Sequence, residues 1–145
     1  MVRVKNRYIL VQLRSNDKPE EEELFVTSRP ICKYLEHQLE KYYGTFGAAS
    51  MLRLYVIYFN AKTHLCIIQC SHGPHRFITS ILPLLTTADT ESARFRTLYV
   101  GATLRQCHKF IVKYQQRYIN KTIGNYRGNM QKKKLVEAVT KVVKM

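Results

Sequence analysis

The run Leu52-Arg53-Leu54-Tyr55-Val56-Ile57-Tyr58-Phe59, the connection Asn60-Ala61-Lys62-Thr63 and the run Leu65-Cys66-Ile67-Ile68-Gln69-Cys70 stand near the middle of the chain. The first run alternates. Leu52, Leu54, Val56 and Tyr58 share one side of a strand; Arg53, Tyr55, Ile57 and Phe59 share the other. The second run is almost continuously apolar and reads as a second strand. So short a connection predicts an antiparallel hairpin.

Moving outward toward the N-terminus, Thr27 or Ser28 can cap a helix, with Pro30 tolerated in its first turn. Ile31, Tyr34, Leu35, Leu39 and Tyr42 fall on one face of it. Gly44 is a natural stop, and Gly47 adds a second flexible point. Asn16 to Glu23 is a polar, acidic loop. Tyr8 to Leu13 reads as a strand with Tyr8, Leu10 and Gln12 on one face and Ile9, Val11 and Leu13 on the other.

On the C-terminal side, Gly73-Pro74 opens a helix whose apolar residues are Phe77, Ile78, Ile81, Leu82 and Leu85; Pro83 should end or kink it. A polar stretch, Thr86 to Ser92, precedes a strand from Phe95 to Val100. A long helix follows from Leu104 to about Lys121, then a break at Gly124–Asn129, then a shorter helix from Gln131 to Val143. The order of the first six elements is βαββαβ, which predicts an α+β fold, a ferredoxin-like antiparallel sheet, with two additional C-terminal helices. Residues 1–123 form the core with its long basic helix, and residues 124–145 a basic helical extension of the same domain.

Charge narrows the function. The chain holds 24 Lys and Arg against 10 Asp and Glu, for a formal net charge of +14 and a pI near 9.8. Such an imbalance is self-repelling unless an anionic partner offsets it. Nucleic acid is the leading candidate and an anionic membrane surface the second. No apolar run approaches the length that spans a bilayer, and the N-terminus lacks a signal-peptide pattern, so an intracellular protein is expected. The excess is concentrated at the ends: residues 1–15 carry +4, the acidic loop and its flank (16–25) −4, and residues 104–145 carry +10. Should the fold join those ends, they would form one anion-binding surface.

The long helix is the most informative segment. Arg105, Lys109, Lys113, Arg117 and Lys121 recur every fourth residue, and no acid occurs between residues 92 and 136. Cys107, Phe110, Ile111, Tyr114 and Tyr118 cluster on a different face. A solvated helix face normally interleaves Glu with Lys, because like charges four apart destabilise the helix. An uninterrupted cationic row is consistent with neutralisation by phosphates. Just ahead of it, Gly101-Ala102-Thr103-Leu104-Arg105-Gln106 resembles a capping box after a glycine. Two readings stand for that segment, a phosphate seat at a helix N-terminus or an ordinary capped helix. The basic residues Arg3, Lys5 and Arg7 ahead of Tyr8 read either as an RNA-binding arm or as a soluble terminus. Arg53, Tyr55, Ile57 and Phe59 can stack bases or pack under another element. Lys132-Lys133-Lys134 fits a backbone contact, a targeting patch or simple solubility.

No G-x-S-x-G, H-E-x-x-H or P-loop pattern occurs, and the five histidines lack evident catalytic partners, so no catalytic residue is assigned. The four cysteines form no C-x-x-C pair. Zinc binding by Cys66, Cys70, His72 and His75 is one reading; reduced structural thiols is the other, favoured by their apolar setting. A small hydrolase or metal-dependent nuclease is thereby disfavoured. A free-standing single-strand RNA-binding ferredoxin-like module remains the alternative to a ribonucleoprotein subunit.

Four motifs in order carry a family resemblance: Val2-Arg3 with Lys5 and Arg7-Tyr8; Gly44-Thr45-Phe46-Gly47-Ala48-Ala49; Asn60-Ala61 with Thr63 and then Cys70; and Val100-Gly101, Thr103, Arg105 and Cys107-His108-Lys109-Phe110. Over residues 1 to 118 the chain resembles the Pop-five subunit family of ribonuclease P and ribonuclease MRP. The resemblance implies a ferredoxin-like core in a non-catalytic subunit that binds and stabilises a catalytic RNA. That RNA, with magnesium bound to it rather than to the protein, removes precursor-tRNA 5′ leaders, and in MRP acts in rRNA processing. Implied partners are the ribonuclease P RNA and the MRP RNA, a barrel-shaped ribonuclease P subunit and a paralogous small subunit, with no membrane. The implied location is the nucleus and nucleolus. Arg3, Lys5, Arg7, Tyr8, Arg53, Gly101, Thr103, Arg105, Lys109, Lys113 and Arg117 are the candidate RNA-binding residues. The sequence departs from the family pattern at Ala102 and His64, where glycines are usual, and at Gln69, where arginine is usual. An acidic tail is absent.

Overall fold

The structure, a computed structural model, describes residues 3–18, 23–24, 26–51, 53–88, 91–123, 134 and 137–138. The chain divides into two compact units, Met1–Leu104 and Arg105–Met145. The first contains β1 (Asn6–Ser15), α1 (Ser28–Ser50), β2 (Tyr55–Asn60), β3 (Leu65–Ser71), α2 (His75–Ile81), a 3-10 turn (Leu82–Leu84), β4 (Thr87–Ala88) and β5 (Glu91–Gly101). The helix α3 spans Leu104–Ile123. The break at Gly124–Asn129 lies outside the described residues, as do most of the expected helix from Gln131 to Val143 and of the run Lys132-Lys133-Lys134.

The fold is α+β, with five strands in the order β2-β3-β1-β5-β4 and every neighbouring pair antiparallel. β1 lies between β3 and β5. Its Ile9, Leu10, Val11 and Leu13 are all fully buried, as expected of an interior strand with both faces covered. Ile9, Val11 and Leu13 join Cys66, Ile68 and Cys70 of β3 and Ala93 and Phe95 of β5 in one core with Ile31, Leu35 and Leu39 of α1 and Ile78 and Ile81 of α2. Full burial of each large aliphatic side chain contributes about 1.5–3 kcal/mol. The other face carries Leu10, Leu65 and Ile67, which are also buried.

α1 begins where Thr27 stands as its extended N-cap residue, although the Thr27 side chain makes no capping bond. Gly44 interrupts it as expected, with φ 69° and ψ −166°, a conformation open essentially only to glycine. The chain then resumes helix to Ser50 rather than stopping. Tyr42, expected on the core face, is exposed. Its neighbour Tyr43 instead packs its ring 4.5 Å from that of Phe77 and hydrogen-bonds the Ser80 hydroxyl, joining α1 to α2. Pro83 falls in the 3-10 turn that ends α2, the break its missing N–H demands.

The Asn60–Thr63 connection forms as an Asx-type turn. The Asn60 side-chain oxygen accepts hydrogen bonds from the backbone N–H of Lys62 (2.9 Å) and Thr63 (3.3 Å). His64 closes it with φ 58°, the only non-glycine residue at positive φ among those described. A glycine would take this conformation freely, whereas His64 meets it at a steric cost. The stretch Thr86 to Ser92, read as a polar connection, holds β4 and the start of β5, so β5 begins earlier than Phe95. Polar pairing explains the extension: Asn16 Nδ2 donates to Ser92 Oγ (2.8 Å), and Lys18 Nζ lies 3.3 Å from Glu91.

Candidate nucleic-acid interface

On α3 the residues Cys107, Ile111, Gln115 and Ile119 are buried, with Phe110 and Tyr114 half-buried. Tyr118, expected on that face, is exposed, while Gln115 and Ile119 are the buried members the sequence reading missed. Cys107, Ile111, Gln115 and Ile119 repeat every four residues, so the stripe that starts at Cys107 passes through 115 and 119 and leaves 118 off its line. Arg105, Lys109, Lys113, Arg117 and Lys121 are all exposed. Among the described residues none of the five pairs with a carboxylate. Successive members rise about 6 Å along the helix. Each like-charge pair four apart costs on the order of 0.2–0.5 kcal/mol in isolation. The helix tolerates that cost without an internal counter-charge. Gly101 ends β5 opposite Tyr8 and is buried; Thr103, exposed, directly precedes α3.

In the first unit the sheet register decides which predicted residues stand together. On the face away from α1 and α2, Tyr8 of β1 registers with both Gly101 and Gln69, and Gln69 with Tyr55. Arg96 stands opposite Gln12 and Arg94 opposite Arg14 on the same face, and both are exposed. Arg53 is exposed just before β2. The expected set Arg53, Tyr55, Ile57 and Phe59 does not share one face. The β2–β3 register slips between Val56 and Tyr58, and Phe59 comes opposite Cys66 and packs on the core with Val56. A bulge inserts one residue and thereby reverses the alternation beyond it. Tyr55 and Ile57 stay exposed.

The N-terminal cations separate as well. Arg3 and Lys5 are exposed ahead of β1, and Arg7 registers with Cys70 on the helix-covered face, opposite in sense to Tyr8. There the pairing of Asn6 with Ser71 brings Lys5 and Arg7 beside the segment that follows β3. The backbone N–H of His72 donates to the Lys5 carbonyl at 2.9 Å. His72 and His75 stack with centroids 5.4 Å apart. Both imidazoles are pushed down from the ordinary histidine value. For His72 the Arg7 charge is the chief cause, followed by burial, Lys5 and Arg76. For His75 burial leads, followed by His72, Arg7 and Arg76. Sequence reading had placed these histidines only among zinc candidates. What sets them beside residues 5 and 7 is the register of β1 with β3, a long-range pairing that no local motif announces.

Among the described residues no three His, Cys, Asp or Glu side chains gather as a metal site. Cys66 and Cys70 are buried thiols, each pushed up to about 12 chiefly by burial. Among the described residues no helix is long and apolar enough to cross a membrane.

The Rpp14/Pop5 family model matches residues 7–112. The chain is 30% identical to the ribonuclease P/MRP protein subunit POP5 of Bos taurus, over 97% of this chain and 85% of that protein. It is also 30% identical to the Homo sapiens subunit of the same name, over 97% and 88% respectively. A chain in the cryo-EM structure of yeast ribonuclease MRP shares the fold, with a TM-score of 0.54 at 15% identity over 83% of this chain and 98% of that one. The family match thus runs from β1 through the sheet and into the basic helix, and the chain belongs to the Rpp14/Pop5 family.

Proposed function

We propose that this protein is a non-catalytic, RNA-binding subunit of ribonuclease P and ribonuclease MRP, built on a ferredoxin-like core. The observation that carries the reading is the exposed row Arg105, Lys109, Lys113, Arg117 and Lys121, unpaired with acid among the described residues. RNA phosphates neutralise such a row and release counterions on binding. In this reading the RNA component, with its own magnesium, cleaves precursor-tRNA leaders, and the protein stabilises that RNA beside a barrel-shaped subunit and a paralogous small subunit. A nuclear and nucleolar location follows from the same reading. The free-standing single-strand binder loses support, because Phe59 packs on the core and leaves Tyr55 without its expected stacking partner.

Affinity purification of the protein from its own cells, followed by sequencing of the co-purifying RNA, tests the reading. The expected result is enrichment of the ribonuclease P RNA, the MRP RNA or both. Enrichment of unrelated messenger or ribosomal RNA alone would contradict it.

A further inference from the structure

We propose that Lys5, Arg7, His72, His75 and Arg76 form a second phosphate-binding site on the first unit, one that takes up protons when an RNA backbone occupies it. The proposal rests on the RNA-binding reading above and adds a site and a pH dependence to it.

The five groups come from three segments: the approach to β1, the end of β3 and the start of α2. Antiparallel pairing of β1 with β3 fixes the first two together, and the 2.9 Å bond from the His72 N–H to the Lys5 carbonyl extends that pairing by one residue. His75 Nδ1 accepts a hydrogen bond from the Gly73 N–H at 3.0 Å. That bond requires Nδ1 without a proton, so the neutral ring carries its proton on Nε2 and can donate outward. The two rings stack, 16° from parallel, and both stand in the field of Arg7 and Arg76. No carboxylate is among the groups acting on either ring. Cys70, the other titratable group beside Arg7, is a thiol held neutral by burial. On its other side His75 lines a groove of about 570 Å³ with Thr79, Phe95, Thr97 and a further cation, Arg96 of β5.

Three permanent cations and two imidazoles, with no carboxylate acting on the rings among the described residues, make a poor site for a metal ion and a good one for an anion. A phosphate placed among them reverses the local field. It favours the imidazolium forms that the arginines disfavour, so the histidine pKa values rise on binding and protons are taken up, His75 exchanging its bond from the Gly73 N–H for a proton on Nδ1. The sign follows by linkage: affinity must increase as pH falls through the range between the free and bound pKa values. A histidine whose pKa rises by one on binding strengthens anion binding by about tenfold once pH lies below both values. The same site without its anion loses folding stability as pH falls below about 6.5, the ordinary histidine value, because the unfolded chain then binds protons that the folded one resists.

The test is an NMR titration of the histidine imidazoles in the full chain, with and without a twelve-nucleotide uridylate strand, at fixed ionic strength. The pKa values of His72 and His75 should rise by one or more on binding. In parallel, affinity for the strand should increase about tenfold or more from pH 8 to pH 6, and the doubly substituted H72Q/H75Q protein should lose that increase. A strand that binds without moving either histidine overturns the proposal and leaves the subunit reading intact. Equal shifts from inorganic phosphate at matched phosphate concentration would assign the site to free phosphate and overturn the RNA assignment. A strand that fails to bind also overturns it, and co-purification then decides separately on the subunit reading.

Discussion

Arg7 and Tyr8 are consecutive in β1 yet face opposite sides of the sheet, Arg7 registered with Cys70 on the helix-covered face and Tyr8 with Gln69 on the other. Their substitutions should therefore differ in kind. Arg7→Gln should lower the slope of log affinity against log salt by roughly 0.7–0.9, the loss of one phosphate contact. Tyr8→Ala removes no charge and should leave that slope unchanged while lowering affinity. Salt titrations of the two variants with the co-purified RNA check this. Equal slopes in both would place Arg7 away from phosphate.

The bulge in β2 makes a second contrast. Phe59 packs on the core, so Phe59→Ala should destabilise the protein by about 2–4 kcal/mol. Tyr55 is 54% exposed, and Tyr55→Ala should stay within about 0.5 kcal/mol of the parent. Chemical denaturation of both variants measures the difference.

His64 tests the hairpin. His64→Ala and His64→Gly remove the same imidazole, but only glycine accepts φ 58° without crowding its Cβ. The glycine variant should therefore be the more stable of the two by about 1 kcal/mol. Thermal unfolding at one pH compares them directly.

The thiols give a pH prediction. Cys66 and Cys70 are pushed up to about 12, so at pH 8 both are neutral, unreactive thiols. Iodoacetamide should leave both unmodified in the folded protein, while half-buried Cys32 reacts first, slowed by its own burial and by Glu36. Unfolding should expose all four cysteines to rapid modification. Because the folded values are raised, stability should fall as pH climbs above about 9, where unfolded thiols ionise and the buried ones do not.

Much of this architecture is legible in the sequence, for identifiable reasons. The α+β class and the long strands and helices follow from period-2 and period-3.6 patterning punctuated by Gly44, Asn60 and Pro83, whereas the expected βαββαβ order lacked the two-residue β4, too short to leave a pattern. The cationic row on α3 is legible because helical spacing alone fixes which residues share a face. What was missed depends on register. A single inserted residue between Val56 and Tyr58 moves Phe59 to the core, and no composition signal marks it. The grouping of Lys5 and Arg7 with His72, His75 and Arg76 joins residues about 70 positions apart, which only strand pairing brings together. Tyr118 was misplaced because it continues the apolar run Phe110–Tyr114, whereas the buried stripe starts at Cys107 and passes through Gln115.

The row on α3 remains the centre of the functional reading, and the salt dependence of RNA binding addresses it most directly. Arg105, Lys109 and Lys113 are exposed, so replacing all three with Glu should leave the fold intact, as circular dichroism can verify. Against the ribonuclease P or MRP RNA, the parent should lose affinity steeply with salt. The triple variant should show a slope shallower by roughly two to three units. A folded triple variant with the parental slope would contradict RNA binding by this helix.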